Sequence, residues 1–262
     1  MSVADKVSII AEALTLLDEP IWEEVVRREP EYQEMEPLAR RYPAGAFLTL
    51  MVVAGLNDYQ LKGKAEFAYW PPLRRHLERY PIPGSPRQMA NILEPFYQKE
   101  RYGSTKVKRL RRFLNSPIAQ RLWESRPREI ATNFVDIWKD IVRTMGQPPT
   151  AKTMAFAGKT LAIGLLLLGE RDFDFRLPIP VDKRLLSLTP WLPDNEKVQT
   201  FWDKVLKRLR CHHPSLTHLH LDSLLWQYAG ASDPHVYLSN LKIPPSAVSK
   251  IVNAFNALHD DP

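Results

Sequence analysis

The sequence predicts an all-α protein made of two helical subdomains flanking a cleft, and three observations carry that expectation. Apolar residues recur at three-and-four spacing through most of the chain, as in Phe134, Ile137, Trp138, Ile141, Val142 and Met145. No stretch alternates polar and apolar residues for long, so a sheet is not expected. Proline or glycine interrupts the helical stretches at short intervals, at Pro30, Pro43, Pro81, Gly84, Gly103, Pro117 and Pro127.

Taken in order, helices are expected over 2–18, 22–28, 32–41, 46–61, 73–80, 87–99, 105–114, 118–124 and 128–145. The first carries Val7, Ile10, Leu14 and Leu17 on one stripe, and Pro20 suits the first turn of the second. Gly146 and Pro148-Pro149 stop the helix that contains 134–145, because proline lacks the amide a helix interior needs and disfavours a helical residue before it. Thr150 is expected to cap the helix that follows, with Lys152 in its first turn. From Ala155 to Leu168 that helix is apolar on nearly every side, which marks a central, buried element. Lys152 and Lys159 are seven residues apart and share a face, roughly 10 Å from each other. Pro178-Ile-Pro-Val then leads in extended form to Asp182, an N-cap for 183–188, and further helices are expected over 195–210, 218–228 and 245–258. The chain reads as a single unit, 1–262, with subdomains 1–73 plus 183–262 and 74–182, the second holding a helix-hairpin-helix at about 134–168.

The 262 residues suffice for a well-buried core, and a net charge of +6 with a pI near 9.3 favours a polyanionic partner. A single cysteine, Cys211, excludes a disulfide framework and a four-cysteine iron-sulfur cluster. No apolar run reaches the roughly 18 residues of a membrane span, and the early acidic residue Asp5 in MSVADKVSII argues against a signal peptide, so an intracellular, cytoplasmic protein without membrane contact is expected. No cofactor and no metal are expected. His212, His213, His218 and His220 cluster in sequence, but their spacing matches no standard zinc site.

The chemistry centres on Lys152. Unpaired amides and the helix dipole disfavour an ammonium in a first turn, and a lysine attacks only as the neutral amine. Each residue also has an ordinary reading: Lys152 as a solvated first-turn lysine, Lys159 with its head reaching water, Asp182 as a simple cap. For nucleic acid, Lys106, Lys108, Arg109, Arg111 and Arg112 put five cations into seven residues, a run that either neutralises phosphates or is a solvated face. The hairpin amides from Gly146 through Gln147 to Thr150 can hold a phosphate as helix N-termini do. Trp22, Trp138 and Trp202 fall on apolar stripes and are expected in the core.

A helix-hairpin-helix with lysine opening its second helix, followed by a Pro-Val-Asp turn, resembles the helix-hairpin-helix/Gly-Pro-Asp superfamily of DNA glycosylases. Lys152-Thr-Met-Ala-Phe-Ala-Gly-Lys159, Pro178-Ile-Pro-Val-Asp182 and His220-Leu-Asp-Ser-Leu-Leu-Trp226 narrow the likeness to the archaeal 8-oxoguanine DNA glycosylase family. The resemblance implies a monomeric bifunctional glycosylase and lyase acting on double-stranded DNA that contains an oxidised guanine, with single-stranded DNA left open. It implies Lys152 as nucleophile, Asp182 as the carboxylate that stabilises the cationic sugar and helps move protons, and an extruded base held between Trp226 and Trp70, with Tyr69 as the alternative to Trp70. Asp222 would accept from the guanine ring amide and amino group, and Lys159 would lie near the base. Glu31 stands where the family has a recognition glutamine; a carboxylate accepts from the N7–H of the oxidised base and repels the N7 lone pair of guanine. Two other readings stay open: a glycosylase of this fold for a different lesion, and a helical nucleic-acid-binding protein without catalysis.

Overall fold

The computed structural model of the chain describes residues 1–259, and among them it contains seventeen helices and no strand. In chain order these are α1 (Val3–Leu14), α2 (Glu19–Arg27), α3 (Pro30–Ala39), α4 (Ala44–Asn57), α5 (Ala65–Ala68), α6 (Trp70–Leu77), α7 (Pro86–Gln98), α8 (Gly103–Leu114), α9 (Pro117–Glu124), α10 (Pro127–Thr132), α11 (Phe134–Met145), α12 (Lys152–Leu167), α13 (Lys183–Leu188), α14 (Asn195–Leu209), α15 (His218–Gly230), α16 (Pro234–Asn240) and α17 (Pro245–Ala257). None of them is long and apolar enough to cross a membrane.

The chain divides into two compact units: Met1–Glu29 together with the chain from Pro178 onward, and Pro30–Leu177. The subdomain boundaries drawn from the sequence, at 73/74 and 182/183, differ from these. The shift has a packing cause, because α3 lies against both α4 and α12 and α6 lies against α3, which ties residues 30–73 to the hairpin. The last three residues of the expected span 183–262 lie outside the described residues.

In the first unit α1, α14 and α17 enclose a core of Ile10, Leu14, Trp202, Val205 and Phe255, while α15 packs on α2. Tyr228 stacks on Phe255 with ring centroids 4.0 Å apart. Lys6 is fully buried here, with its Nζ donating to the Leu258 carbonyl at 3.0 Å and lying 4.4 Å from the centre of the Trp191 ring. Ile179 and Val181 are anchored in the same core, and Gln199 donates to the Ile179 carbonyl at 2.9 Å. These alternate residues pin the extended stretch that ends at Asp182.

The second unit is built on the pair α4 and α12. Residues 45–57 of α4 are all buried, and no face of the helix is polar, as expected for a central element. The helices run antiparallel: Leu48 and Met51 meet α12 at Gly164, whereas Gly55 meets it at Ala157 and Thr160. A Cβ on Gly55 would collide with the Thr160 side chain, so glycine is what permits the close approach. Trp138 of α11 locks the hairpin by donating its indole N–H to the Met154 carbonyl at 2.9 Å.

Several elements depart from expectation. The helix expected over 128–145 is two, α10 and α11, separated at Asn133. The short α5 and α16 lie where no helix was expected, and α4 stops at Asn57 because Asp58 turns out of helical conformation with ψ 73°. Thr150 does not cap α12. Its N-cap is Ala151, whose methyl group cannot accept an amide, and Thr150 is exposed in the turn before it.

Candidate active site

Lys152 is the first residue of α12 and is half-buried. The turn before it is set by Gly146, which caps α11 at φ +61°, a left-handed conformation that favours glycine. A clamp then holds the turn against the end of α4. The Arg109 guanidinium of α8 donates to the Leu56 carbonyl at 3.2 Å and to the Gln147 side-chain oxygen at 3.2 Å. That same oxygen accepts the Thr153 hydroxyl at 2.9 Å, one residue from the lysine. Arg112 reinforces the hairpin by donating to the Thr144 carbonyl at 2.7 Å.

Two turns along α12, Lys159 is buried at 2% exposure, so its head does not reach the surface; its Nζ lies 3.6 Å from the carboxylate of Glu31, which is equally buried at 2%. Glu31 is therefore an interior residue of α3 and no surface acid. Trp70 and Tyr69 are both fully buried, with ring centroids 5.1 Å apart edge to face, so neither presents a face to solvent. Tyr69 is further fixed by its hydroxyl, which donates to the Ala54 carbonyl at 2.7 Å and meets the Tyr97 hydroxyl at 3.0 Å.

A residue that the sequence reading passed over belongs to this neighbourhood. Asp58 is 6% exposed, and burial pushes its carboxyl up to about 6 against the lowering influence of Lys152 first, then Lys106, the Trp70 indole and Lys159. The Trp70 indole N–H lowers it as a nearby donor, although it makes no hydrogen bond of ordinary geometry. The only hint in the sequence is that Asn57-Asp58 follow directly on a helix that is apolar all round.

The basic run divides into an inner and an outer set. Lys106 is fully buried, its Nζ 5.1 Å from the Tyr59 ring centre and 5.9 Å from that of Tyr69, and burial lowers its pKa. The expected phosphate contact from Lys106 is thus corrected: it shares the inward face of α8 with Leu110 and Phe113, at the spacing i, i+4, i+7. Arg109 is part-buried and committed to the clamp. Lys108, Arg111 and Arg112 are exposed, with Arg111 paired to Glu94 at 2.6 Å. Gln147 and Arg112 serve the hairpin's own geometry, while Gly146 and Thr150 are exposed.

In the first unit, Asp182 caps α13, accepting the amides of Arg184 at 2.9 Å and Leu185 at 3.2 Å. Arg184 in turn lays its guanidinium over Trp226, 4.0 Å from the ring centre, and against Gly230 one turn further on. Trp226 is half-buried, and Asp222, four residues earlier on the same face of α15, is 3% exposed. Two of the histidines have side-chain partners: His218 pairs with Asp203 at 2.8 Å, and His220 closes a capping box with Thr217. Among the described residues no group of three or more His, Cys, Asp or Glu side chains is placed to hold a metal ion.

A sequence model of the AGOG family, described as N-glycosylase/DNA lyase, matches residues 11–253. The chain belongs to this family. It is accordingly a DNA glycosylase/lyase, and DNA is its substrate. Relatives named N-glycosylase/DNA lyase include one from Thermococcus kodakarensis, 29% identical over 189 residues that make up 70% of this chain and 68% of that protein. Another, from Methanopyrus kandleri, is 26% identical over 241 residues, 91% of this chain and 94% of that one. The fold matches the crystal structure of an 8-oxoguanine DNA glycosylase from Pyrobaculum aerophilum complexed with 8-oxoguanosine, with a TM-score of 0.72, 20% identity and 96% of each chain covered. All-α architecture and family membership thus agree with the resemblance carried by the Lys152, Asp182 and Trp226 motifs.

Proposed function

We propose that this glycosylase/lyase excises 8-oxoguanine from duplex DNA and nicks the strand through a Schiff base on Lys152. The observation that carries the reading is Lys152 itself, half-buried at the start of α12 and clamped there through Thr153, Gln147 and Arg109, in a family that combines base removal with strand cleavage. Joining the two activities needs a covalent nucleophile, and an amine can form an imine with the sugar. The Lys152 Nζ lone pair bonds to C1′ while the C1′–N9 bond breaks with its electron pair on the base. Ring opening gives the imine, loss of a C2′ proton follows, and the 3′-phosphate leaves. Asp182, oriented by two helix amides, supports the positive charge that develops on the sugar.

The choice of 8-oxoguanine is supported by the ligand named for the Pyrobaculum aerophilum protein and by the Glu31–Lys159 pair. Oxidised guanine shows a donor at N7 beside an acceptor at O6, and a carboxylate next to an ammonium complements that order; guanine, with acceptors at both positions, meets Glu31 with a lone pair. Trp226 supplies the stacking face, with Asp222 on its helix accepting from the ring amide and amino group, and Trp70 acts through Asp58. Exposed Lys108, Arg111 and Arg112, with the hairpin at Gly146 and Thr150, hold the phosphates. The test is a panel of duplexes carrying 8-oxoguanine, oxidised pyrimidines or mispaired adenine, incubated with borohydride. The 8-oxoguanine duplex should give the fastest base release and a covalent adduct that Lys152→Gln removes. Faster release from another duplex replaces the substrate, and release without any adduct replaces the mechanism.

A further inference from the structure

The placement of Asp58 follows from the helix pair. Because the antiparallel pair sets Leu48 and Met51 against Gly164 and Gly55 against Ala157 and Thr160, Asp58, three residues past Gly55 at the end of α4, lies toward the N-terminal turns of α12. The Arg109 clamp fixes the same juxtaposition independently, since it joins Leu56 at the end of α4 to Gln147 and Thr153 around Lys152. The groups facing Asp58 come from four helices and the turn between α5 and α6: Lys152 and Lys159 of α12, Lys106 of α8, Trp70 of α6, Tyr69 in the turn and Tyr97 of α7, with Glu100 beyond. The two phenols are pushed up by burial and, to a lesser degree, by Asp58, so they stay protonated.

We infer that Asp58 is the carboxylate that takes, through an intervening water, the proton the Lys152 amine must shed. The inference rests on Lys152 as the nucleophile proposed above. When Nζ bonds to C1′ and the base leaves with the C1′–N9 electron pair, the nitrogen carries a positive charge and two N–H bonds. One proton passes to the Asp58 carboxylate, which becomes a neutral carboxyl. The lone pair so freed expels O4′ with the C1′–O4′ electron pair and forms the iminium. O4′ takes the proton back from the carboxyl, directly or through water, and Asp58 ends the step as the anion it was. A carboxyl that titrates at about 6 suits this exchange better than a solvent-exposed aspartate, since it holds a proton more firmly yet is mostly anionic above neutrality.

The experiment is single-turnover formation of the borohydride-trapped adduct on 8-oxoguanine duplex from pH 5 to 9, for the wild type, Asp58→Asn, Asp58→Glu and Lys152→Gln. The wild-type rate is expected to rise through about pH 6. Asp58→Asn should lose that limb and fall by about 100-fold at its plateau, within the usual range for a lost proton acceptor, with DNA affinity unchanged. Asp58→Glu should recover part of the rate and the limb, which a purely structural role would not give. A pH profile for Asp58→Asn that superimposes on the wild type overturns the inference, as does a loss confined to affinity or shared equally by Asp58→Glu. An adduct that survives Lys152→Gln sinks the parent reading instead, so the two failures are told apart.

Discussion

The helices α12 and α13 begin in opposite ways. Both open on a lysine, Lys183 and Lys152, but at α13 the N-cap is Asp182, whose carboxylate accepts two first-turn amides, whereas at α12 the N-cap is Ala151, which can accept none. A carboxylate at a helix start gains from the dipole and from its hydrogen bonds, whereas a cation there opposes the dipole. The α13 start is therefore a rigid support, and the α12 start forgoes a cap, worth about 1 kcal/mol, while holding its lysine by a clamp one residue away. A second contrast lies alongside: Asp182 is held by backbone amides, but Asp58 is held in a buried ring of lysines where burial dominates. One acid is fixed in place and the other is tuned.

Substitutions can break each half of that contrast. Asp182→Asn keeps a capping side chain but removes the charge, so activity should fall by about 10²- to 10⁴-fold with the melting temperature nearly unchanged. Asp182→Ala should lose the same activity and about 1 kcal/mol of stability as well, read by denaturant titration. Equal stability of the two variants would show that the cap is idle.

Asp58→Asn should stabilise the protein. A carboxyl held at about 6 in place of its ordinary 3.8 is about 3 kcal/mol less stable as its anion. The folded chain keeps a proton between those values that the unfolded chain has lost, so this contribution falls as pH rises from about 4 to about 6. Urea titrations should show Asp58→Asn gaining on the wild type across that window and holding a constant advantage above it. An advantage that shrinks with rising pH would contradict the burial of the anion.

Ala151→Ser installs the missing cap and should add about 1 kcal/mol without creating a charge beside Lys152. The smallest effects belong to the outer cations: Lys108→Ala should reduce the salt dependence of DNA affinity by about one in log–log slope, whereas Lys106→Met, at a buried position, should leave that slope unchanged.

Local patterning accounts for the parts of the fold that are legible in the sequence. Three-and-four spacing placed α11, Gly146 and the proline pair ended it, and an apolar run marked α12 as central, so the hairpin and Lys152 at its turn followed from short-range rules. The Asp182 cap was equally local. Asp58 was not, because its burial comes from distant helices closing around it, and its one local sign is that it follows a helix apolar all round. Lys106 was misplaced for a related reason: five cations within seven residues suggested a surface, but the helical period with Leu110 and Phe113 turned one of them inward. The boundary at Glu29 and Pro30 escaped notice because no linker composition marks it.

The central claim is that Lys152 alone forms the covalent bond to the sugar. Its most direct test is peptide mapping by mass spectrometry of the borohydride-trapped complex after nuclease and protease digestion. A reduced sugar remnant is expected on the peptide holding residue 152, at that lysine. A remnant on Lys159, on Lys106 or on a lysine of the first unit would contradict it.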